Sequence, residues 1–218
     1  MQNVQDLKEA KRNFVSNKDE SPRIFSNNFL DFFSRVHWSI PLFTWVPVVL
    51  VSIYWSLVER NLEVTSVAGY FVAAFFSWTV AEYVLHRFVF HFHPTTELGK
   101  RISFITHGVH HDYPNDSKRL VMPPALSVFI ALPFWFGFQW AFGEFNLAFF
   151  AGFLTGYLIY DMMHYALHHA NVKWAWFAAL KEHHMIHHYA EPENGFGVSS
   201  KMWDYIFRTT FKKNSPAS

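Results

Sequence analysis

Ten of the fourteen histidines in this chain fall into four short motifs whose spacing suits metal ligation. They are His86 and His91 (HX4H), His107, His110 and His111 (HX2HH), His164 and His168 (HX3H), and His184, His187 and His188 (HX2HH). Histidine is the commonest metal ligand, and helical residues three or four apart lie on one face. Three of the motifs therefore project their rings together. The five-residue step from His86 to His91 turns about 140° on an ideal helix, so that pair needs a helix end or a local bulge to converge. Ten imidazoles are too many for one ion and suit two ions with about five nitrogens each. Imidazole serves iron, zinc, copper and nickel, and geometry separates them. The chain has no cysteine, which excludes disulfides, thiolate sites and iron–sulfur clusters. His37, His93 and His169 read as ordinary interfacial histidines. His183 adjoins the last motif but points away from its shared face.

The elements that must position these rings are apolar. The chain has 218 residues, enough for one domain with a sizeable core. It is 51% hydrophobic and 20% aromatic, and its 16% of charged residues falls below the roughly 25% of soluble domains. That balance points to a membrane. Met1–Ser21 is polar and of mixed charge, lacks a signal-peptide pattern, and reads as a mobile or loosely helical tail. Ile24–Phe33 is aromatic and too short to span, so an interfacial helix is expected. Ser39–Val58 carries no charge over 20 residues, enough for about 30 Å of hydrocarbon. Further spans are expected over Ser66–Phe90, over Val121–Phe142, and from Leu147–Tyr160 onward. The second and fourth run into polar residues at their ends, among them Glu82, His86, Asp161 and His164. Beyond Asn171 the chain reads as soluble or interfacial, with Trp174 and Trp176 suited to the headgroup level. Two units follow, a tail with its interfacial helix over 1–38 and a membrane-embedded domain over 39–218.

Four spans place both chain ends on one side. Every basic residue except Arg60 lies on that side, which the positive-inside rule assigns to the cytoplasm. All four histidine motifs fall there too, although the charge argument does not use them. The expected fold is all-α and integral to the membrane, with four transmembrane helices and a cytosolic helical cap holding a histidine-rich di-metal site. A net charge of +1, without basic runs interleaved with aromatics, gives no indication of nucleic-acid binding.

The four motifs, in this order, resemble those of the fatty acid hydroxylase superfamily of membrane di-metal oxygenases. The stretches Glu82–Phe92 (EYVLHRFVFHF), His107–Pro114 (HGVHHDYP), Arg119–Pro124 (RLVMPP), Tyr160–His169 (YDMMHYALHH) and Gly195–Thr209 (GFGVSSKMWDYIFRT) are similar to fatty acid 2-hydroxylases acting on sphingolipid acyl chains. The likeness covers about 61–210 and implies that all ten motif histidines are metal ligands. It implies that O2 and two electrons are consumed to hydroxylate a membrane lipid beside its acyl carbonyl, as a free fatty acid or a sphingolipid N-acyl chain. Iron is the metal expected for that oxidation, and zinc, which has no redox chemistry, would be an inactive substitute. Glu82 and Asp161 share helical faces with His86 and His164 and are candidates to fix ring tautomers. Tyr157, Tyr160 and Asp161 lie where the fourth span meets the site and are candidate substrate contacts. Related eukaryotic proteins often carry a cytochrome-b5-like domain. The 38 residues before the first span are too few for one, so a separate electron donor is expected, such as a cytochrome-b5-like protein or a ferredoxin with its reductase. The expected location is a cytoplasmic membrane, or the endoplasmic reticulum in a eukaryote.

Three other chemistries fit parts of the pattern. A sterol or carotenoid hydroxylase or desaturase of the same superfamily shares the histidine motifs. A di-zinc membrane hydrolase would work without O2. A metal transporter would hold its ligands near the bilayer midplane, whereas these lie at one face.

Overall fold

A computed structural model of the chain describes residues 13–211. The part of the N-terminal tail over 1–12, with Lys8, Lys11 and Arg12, and the terminal 212–218, with Lys212 and Lys213, lie outside the described residues. All regular elements among the described residues are helical.

Helix α1 (Asn28–Phe33) is short and capped by Asn27, whose side chain accepts from the Phe29 and Leu30 amides. Its Phe29, Phe32 and Phe33 are exposed. Helix α2 (Ile40–Tyr54) continues through a π turn (Trp55–Glu59), and α3 (Val64–Val84) through another (Leu85–Phe90). A shorter section holds α4 (Glu97–Ser103), a π turn (Phe104–Gly108) and α5 (Val109–Asp112). Helix α6 (Pro124–Phe142) then reverses through a 3₁₀ turn (Gly143–Phe145) into α7 (Asn146–His169). Finally come α8 (Ala175–Tyr189) and α9 (Met202–Ile206).

Three helical stretches are long and apolar enough to cross a membrane: Ile40–Glu59, Val64–Phe90 and Pro124–His169. The last contains both α6 and α7. They pack antiparallel, since Phe142 stacks on Phe149 at 3.9 Å while Phe134, earlier on α6, meets Phe153, later on α7, at 4.7 Å. Gly143 makes the reversal with φ +52°, a backbone region that favours glycine. Large apolar side chains cover the outside of these helices: Phe43, Phe76, Phe129, Phe136 and Trp140 are all exposed. With the charge confined to the ends, that surface suits hydrocarbon rather than water. The chain is read as an integral membrane protein.

Helix α7 is the central rod, buried along most of its length. Its Gly152 and Gly156 face α3, where a Cβ would meet the Phe71 backbone and the Trp78 side chain. Small residues four apart allow this close helix contact. Aromatic residues fill the surrounding core, with Trp78 set edge-on to both Phe153 and Tyr157. At the end away from the histidines, Arg60 donates to the Glu144 carbonyl at 2.5 Å and to Asn146 Oδ1 at 2.7 Å. The two turns at that end are thereby tied together.

The tail differs from expectation. Residues 13–21 contain no helix and are pinned to the section after α5. The Val15 and Ser16 amides donate to the Asp112 carbonyl, the Ser117 amide to Asp19, and Ser21 Oγ to Asp116 at 2.5 Å. Its backbone polar groups find fixed partners there, which satisfies them without an intrahelical ladder.

Candidate metal centre

The ten motif histidines converge into two groups of five. His86, His91, His107, His111 and His187 form one, and His110, His164, His168, His184 and His188 the other. Within each group the available ring nitrogens all lie within 4.8 Å of one another. Helix α7 supplies His164 and His168 to the second group only, and the end of α3 supplies His86 and His91 to the first only. Helices α5 and α8 serve both. Neighbours His110 and His111 part company, as do His187 and His188, and the His111 and His188 rings stack at 4.2 Å where the groups meet. The face expected to be shared by His184, His187 and His188 therefore divides: i and i+4 join the second group, and i+3 turns to the first.

The π turn at the end of α3 brings His86 and His91 together, with the His91 amide donating to the His86 carbonyl at 3.1 Å. This i→i+5 bond is the π-helical one, and it supplies the bulge that HX4H requires. A second π turn, Phe104–Gly108, delivers His107. No sequence signal marked that one.

The donor chemistry fits metal cations. His86 Nδ1 lies 2.5 Å from the Phe196 carbonyl and His187 Nδ1 2.7 Å from that of Asn194. Carbonyls only accept, so both Nδ1 atoms carry the proton and both Nε2 atoms present lone pairs. Those lone pairs face other ring nitrogens: His86 Nε2 is 3.1 Å from His107 Nε2, and His187 Nε2 is 3.1 Å from His91 Nε2. In the second group His184 Nε2 lies 2.9 Å from His168 Nε2 and 3.1 Å from His188 Nε2. Both nitrogens of His110 and the Nε2 of His164 are buried without a hydrogen-bond partner among the described residues. Buried polar atoms rarely stay unsatisfied, and a cation inside each ring of nitrogens would engage those lone pairs. Burial, with the neighbouring rings adding to it, pushes His91, His107, His110, His184, His187 and His188 well below the usual imidazole range, and His111 to about 3. The rings are neutral at pH 7, as ligation requires.

The two carboxylates make no hydrogen bond to the rings among the described residues. Glu82 Oε1 accepts from the Val198 and Ser199 amides, each at 2.8 Å, and Oε2 from the Ser199 hydroxyl. Asp161 accepts from the Tyr157 hydroxyl at 3.1 Å and the Met122 amide at 3.4 Å. The His86 and His187 rings of the first group are instead oriented by backbone carbonyls of the loop 194–199. That loop is held by Glu82 on one side and Asp204 on the other. Asp204, fully buried, accepts from the Phe196 and Gly197 amides at 2.9 Å, from Thr209 Oγ1 at 2.7 Å and from His183 at 3.0 Å. His183 therefore belongs to the scaffold and to neither group. At Gly197 a Cβ would collide with the Ser200 carbonyl, and Gly195 sits at φ +72°, so the GFG stretch is a backbone requirement. Asn194, Phe196 and Asp204 were not singled out as site residues in the sequence, although Phe196 and Asp204 lie in the GFGVSSKMWD stretch. His37 and His93 are exposed, bonded to Ser39 and Glu193, and His169 packs on Tyr165.

A cavity of about 270 Å³ opens onto both groups. His107, His110 and His164 line it together with Tyr160, Asp161 and Arg119, and the remaining wall is largely apolar. Tyr157 is absent from it and lines an adjoining narrow cleft with Trp45, Trp78 and Glu82. The two spaces share Phe90, Met122 and Tyr160.

Comparison with known proteins gives consistent results. The fatty acid hydroxylase family profile matches residues 71–209, a stretch that contains all ten histidines. A dihydroceramide fatty acyl 2-hydroxylase of Arabidopsis thaliana is 36% identical over 200 residues, covering 90% of this chain and 83% of its own length. A ceramide very long chain fatty acid hydroxylase of Saccharomyces cerevisiae is 34% identical over 95% of this chain and 56% of its own. The fatty acid 2-hydroxylase of Homo sapiens is 35% identical over 86% and 56%. Among solved structures, that of full-length scs7p, with only its hydroxylase domain visible, matches with a TM-score of 0.82 at 36% identity, covering 88% of this chain and 73% of that one.

Proposed function

The chain belongs to the fatty acid hydroxylase family, and from that premise we propose that it hydroxylates a lipid acyl chain at the 2-position. The balanced reaction takes the lipid, O2, two electrons and two protons to the 2-hydroxy lipid and water. The observation that carries this reading is the largely apolar cavity whose wall includes rings of both histidine groups. A hydrocarbon chain can lie there with one methylene beside the nitrogens and water excluded. The relatives' names point to fatty acyl substrates rather than sterols or carotenoids.

Two metal ions, iron in this reading, would supply the activation of O2 and accept the two electrons. The ten histidines would hold them, five to each. The Phe196 and Asn194 carbonyls hold His86 and His187 with Nε2 inward, so these rings need no tautomer change on binding a cation. Tyr160 and Asp161 border the reacting carbon, and Tyr157 contacts the chain in the adjoining cleft. Electrons come from a separate protein, such as a cytochrome-b5-like protein or a ferredoxin with its reductase. In topology, α2, α3, α6 and α7 each cross the bilayer, and the helical cap with both termini faces the cytosol. Residues 39–218 form the membrane-embedded domain and 1–38 the tail with its interfacial helix. The location is a cytoplasmic membrane, or the endoplasmic reticulum in a eukaryote.

Lipid mass spectrometry of cells with and without the protein tests the function. Expected is a class of lipids gaining one oxygen at acyl carbon 2 only when the protein and O2 are both present. No such gain, or turnover persisting without O2, sinks the assignment.

A further inference from the structure

A second cavity, of about 640 Å³, lies beside the point where the chain enters α2. Its wall takes Arg23 from the segment before α1, Asp31 and Phe32 from α1, and Arg35 and Trp38 from the link to α2. Lys118, from the section before α6, and Tyr165, near the end of α7, complete it. Three cations and one carboxylate therefore line this space. Asp31 is already engaged, accepting from the Ile24 amide at 2.9 Å and from Arg35 Nη2 at 2.6 Å. The Arg23 guanidinium is held by neutral acceptors alone: Nε donates to the Phe25 carbonyl at 2.8 Å, and Nη2 to Asn28 Oδ1 at 2.6 Å and to the Ser26 carbonyl. Asp19 lies outside the wall and accepts from the Ser117 amide at 3.0 Å. Arg23 and Lys118 are exposed, and neither forms an ion pair among the described residues.

We propose that this cavity binds the headgroup phosphate of an anionic phospholipid of the surrounding membrane. Guanidinium N–H groups match phosphate oxygens, and a lysine adds a compact charge beside them. The place of the cavity in the fold identifies the source of the phosphate. Trp38 and Tyr165 lie with ring centroids 6.1 Å apart in its wall, and such aromatic side chains belong at the headgroup level of a bilayer. Phe32, in the same wall, is exposed, as are Ile40 and Phe43 at the start of the α2 span. Cations at the mouth of a span, followed at once by exposed apolar surface, suit a lipid whose phosphate and acyl chains are joined. A free anion would use the first and leave the second bare. A zwitterionic headgroup would carry its own cation into a wall that already has three. Helix α1 and the residue after it also line the histidine-lined cavity, through Leu30, Phe33 and Ser34, so a bound headgroup braces one wall of that space. The inference needs the apolar helices to lie in a bilayer and does not depend on the reaction.

The test is native mass spectrometry of the purified, delipidated full-length protein in a neutral detergent, titrated with phosphatidylglycerol or with phosphatidylcholine of the same acyl chains. Expected is one phosphatidylglycerol bound several-fold more tightly than any phosphatidylcholine. Lys118→Gln removes an exposed side chain that makes no ion pair, and should weaken that binding roughly fivefold. Arg23→Gln combined with Lys118→Gln should weaken it roughly twentyfold. Lys100→Gln combined with Arg101→Gln neutralises two exposed cations outside the cavity and should leave it unchanged. Inorganic phosphate at the lipid's concentration should not compete. Equal affinity for the two lipids, unchanged binding in Lys118→Gln, an equal loss in the Lys100 and Arg101 variant, or displacement by inorganic phosphate would each overturn the proposal. The thermal midpoint without lipid checks folding, and Lys118→Gln alone decides the matter if the Arg23 variant does not fold.

Discussion

Burial decides the protonation of His111. The folded ring titrates at about 3, whereas an exposed imidazole titrates near 6.5. Between those values the unfolded chain holds more protons than the folded one, so stability rises with pH and falls as pH drops through that window. His91, His107, His110, His184, His187 and His188 shift the same way and add to the slope. The thermal midpoint should therefore fall between pH 7.5 and pH 5, while the rings, still neutral in the fold at pH 5, keep their ions on dialysis at both values. A thermal midpoint unchanged between the two pH values would contradict this. Separately, His86→Ala and His168→Ala each remove a ligand from a different group, and each should reduce bound metal from two ions to about one per chain. The ligand candidates were legible because ligation demands one residue type at helical spacing. Their partition into groups was not, since it depends on where α5 and α8 each divide a neighbouring pair. The Asn194 and Phe196 carbonyls were invisible because a backbone acceptor leaves no residue-type signature.

Among the elements, the α3–α7 contact sets the distance between the two helix ends that carry four of the ten histidines. Gly152→Ala would drive a methyl into the Phe71 carbonyl and Gly156→Ala one into the Trp78 side chain. Each should destabilise the fold, by on the order of 3 kcal/mol at Gly152 and less at Gly156, where an indole can shift. Thermal unfolding in detergent measures this, and a neutral Gly152→Ala would show that the helices do not approach as described. The loop 194–199 depends on Asp204 in a comparable way. Asp204→Asn loses acceptor capacity for two amides, Thr209 and His183, and should lower retention of the metal held by the His86 group before the other. The apolar helices were legible from their length and lack of charge. The bulge at His86–His91 was legible from its spacing, whereas the π turns at Trp55–Glu59 and Phe104–Gly108 carry no comparable mark.

For the whole molecule, the asymmetry of charge and the crowding of histidine at one end are a single arrangement. The chain has no cysteine, so single substitutions report sidedness cleanly. Glu63→Cys and Lys173→Cys, both exposed, should react with an impermeant maleimide from opposite faces of sealed vesicles. Labelling from the same face would refute the four-crossing arrangement. Helix α8 has a further consequence in time. It supplies His187 to one group and His184 and His188 to the other, so neither set of nitrogens is complete until α8 has left the ribosome. In the reading proposed above, the spanning helices insert before either ion can be held, and ion capture follows the synthesis of α8. A nascent chain halted before α8 would be a fully threaded membrane protein with no complete metal site, and cellular quality control would meet it in that form.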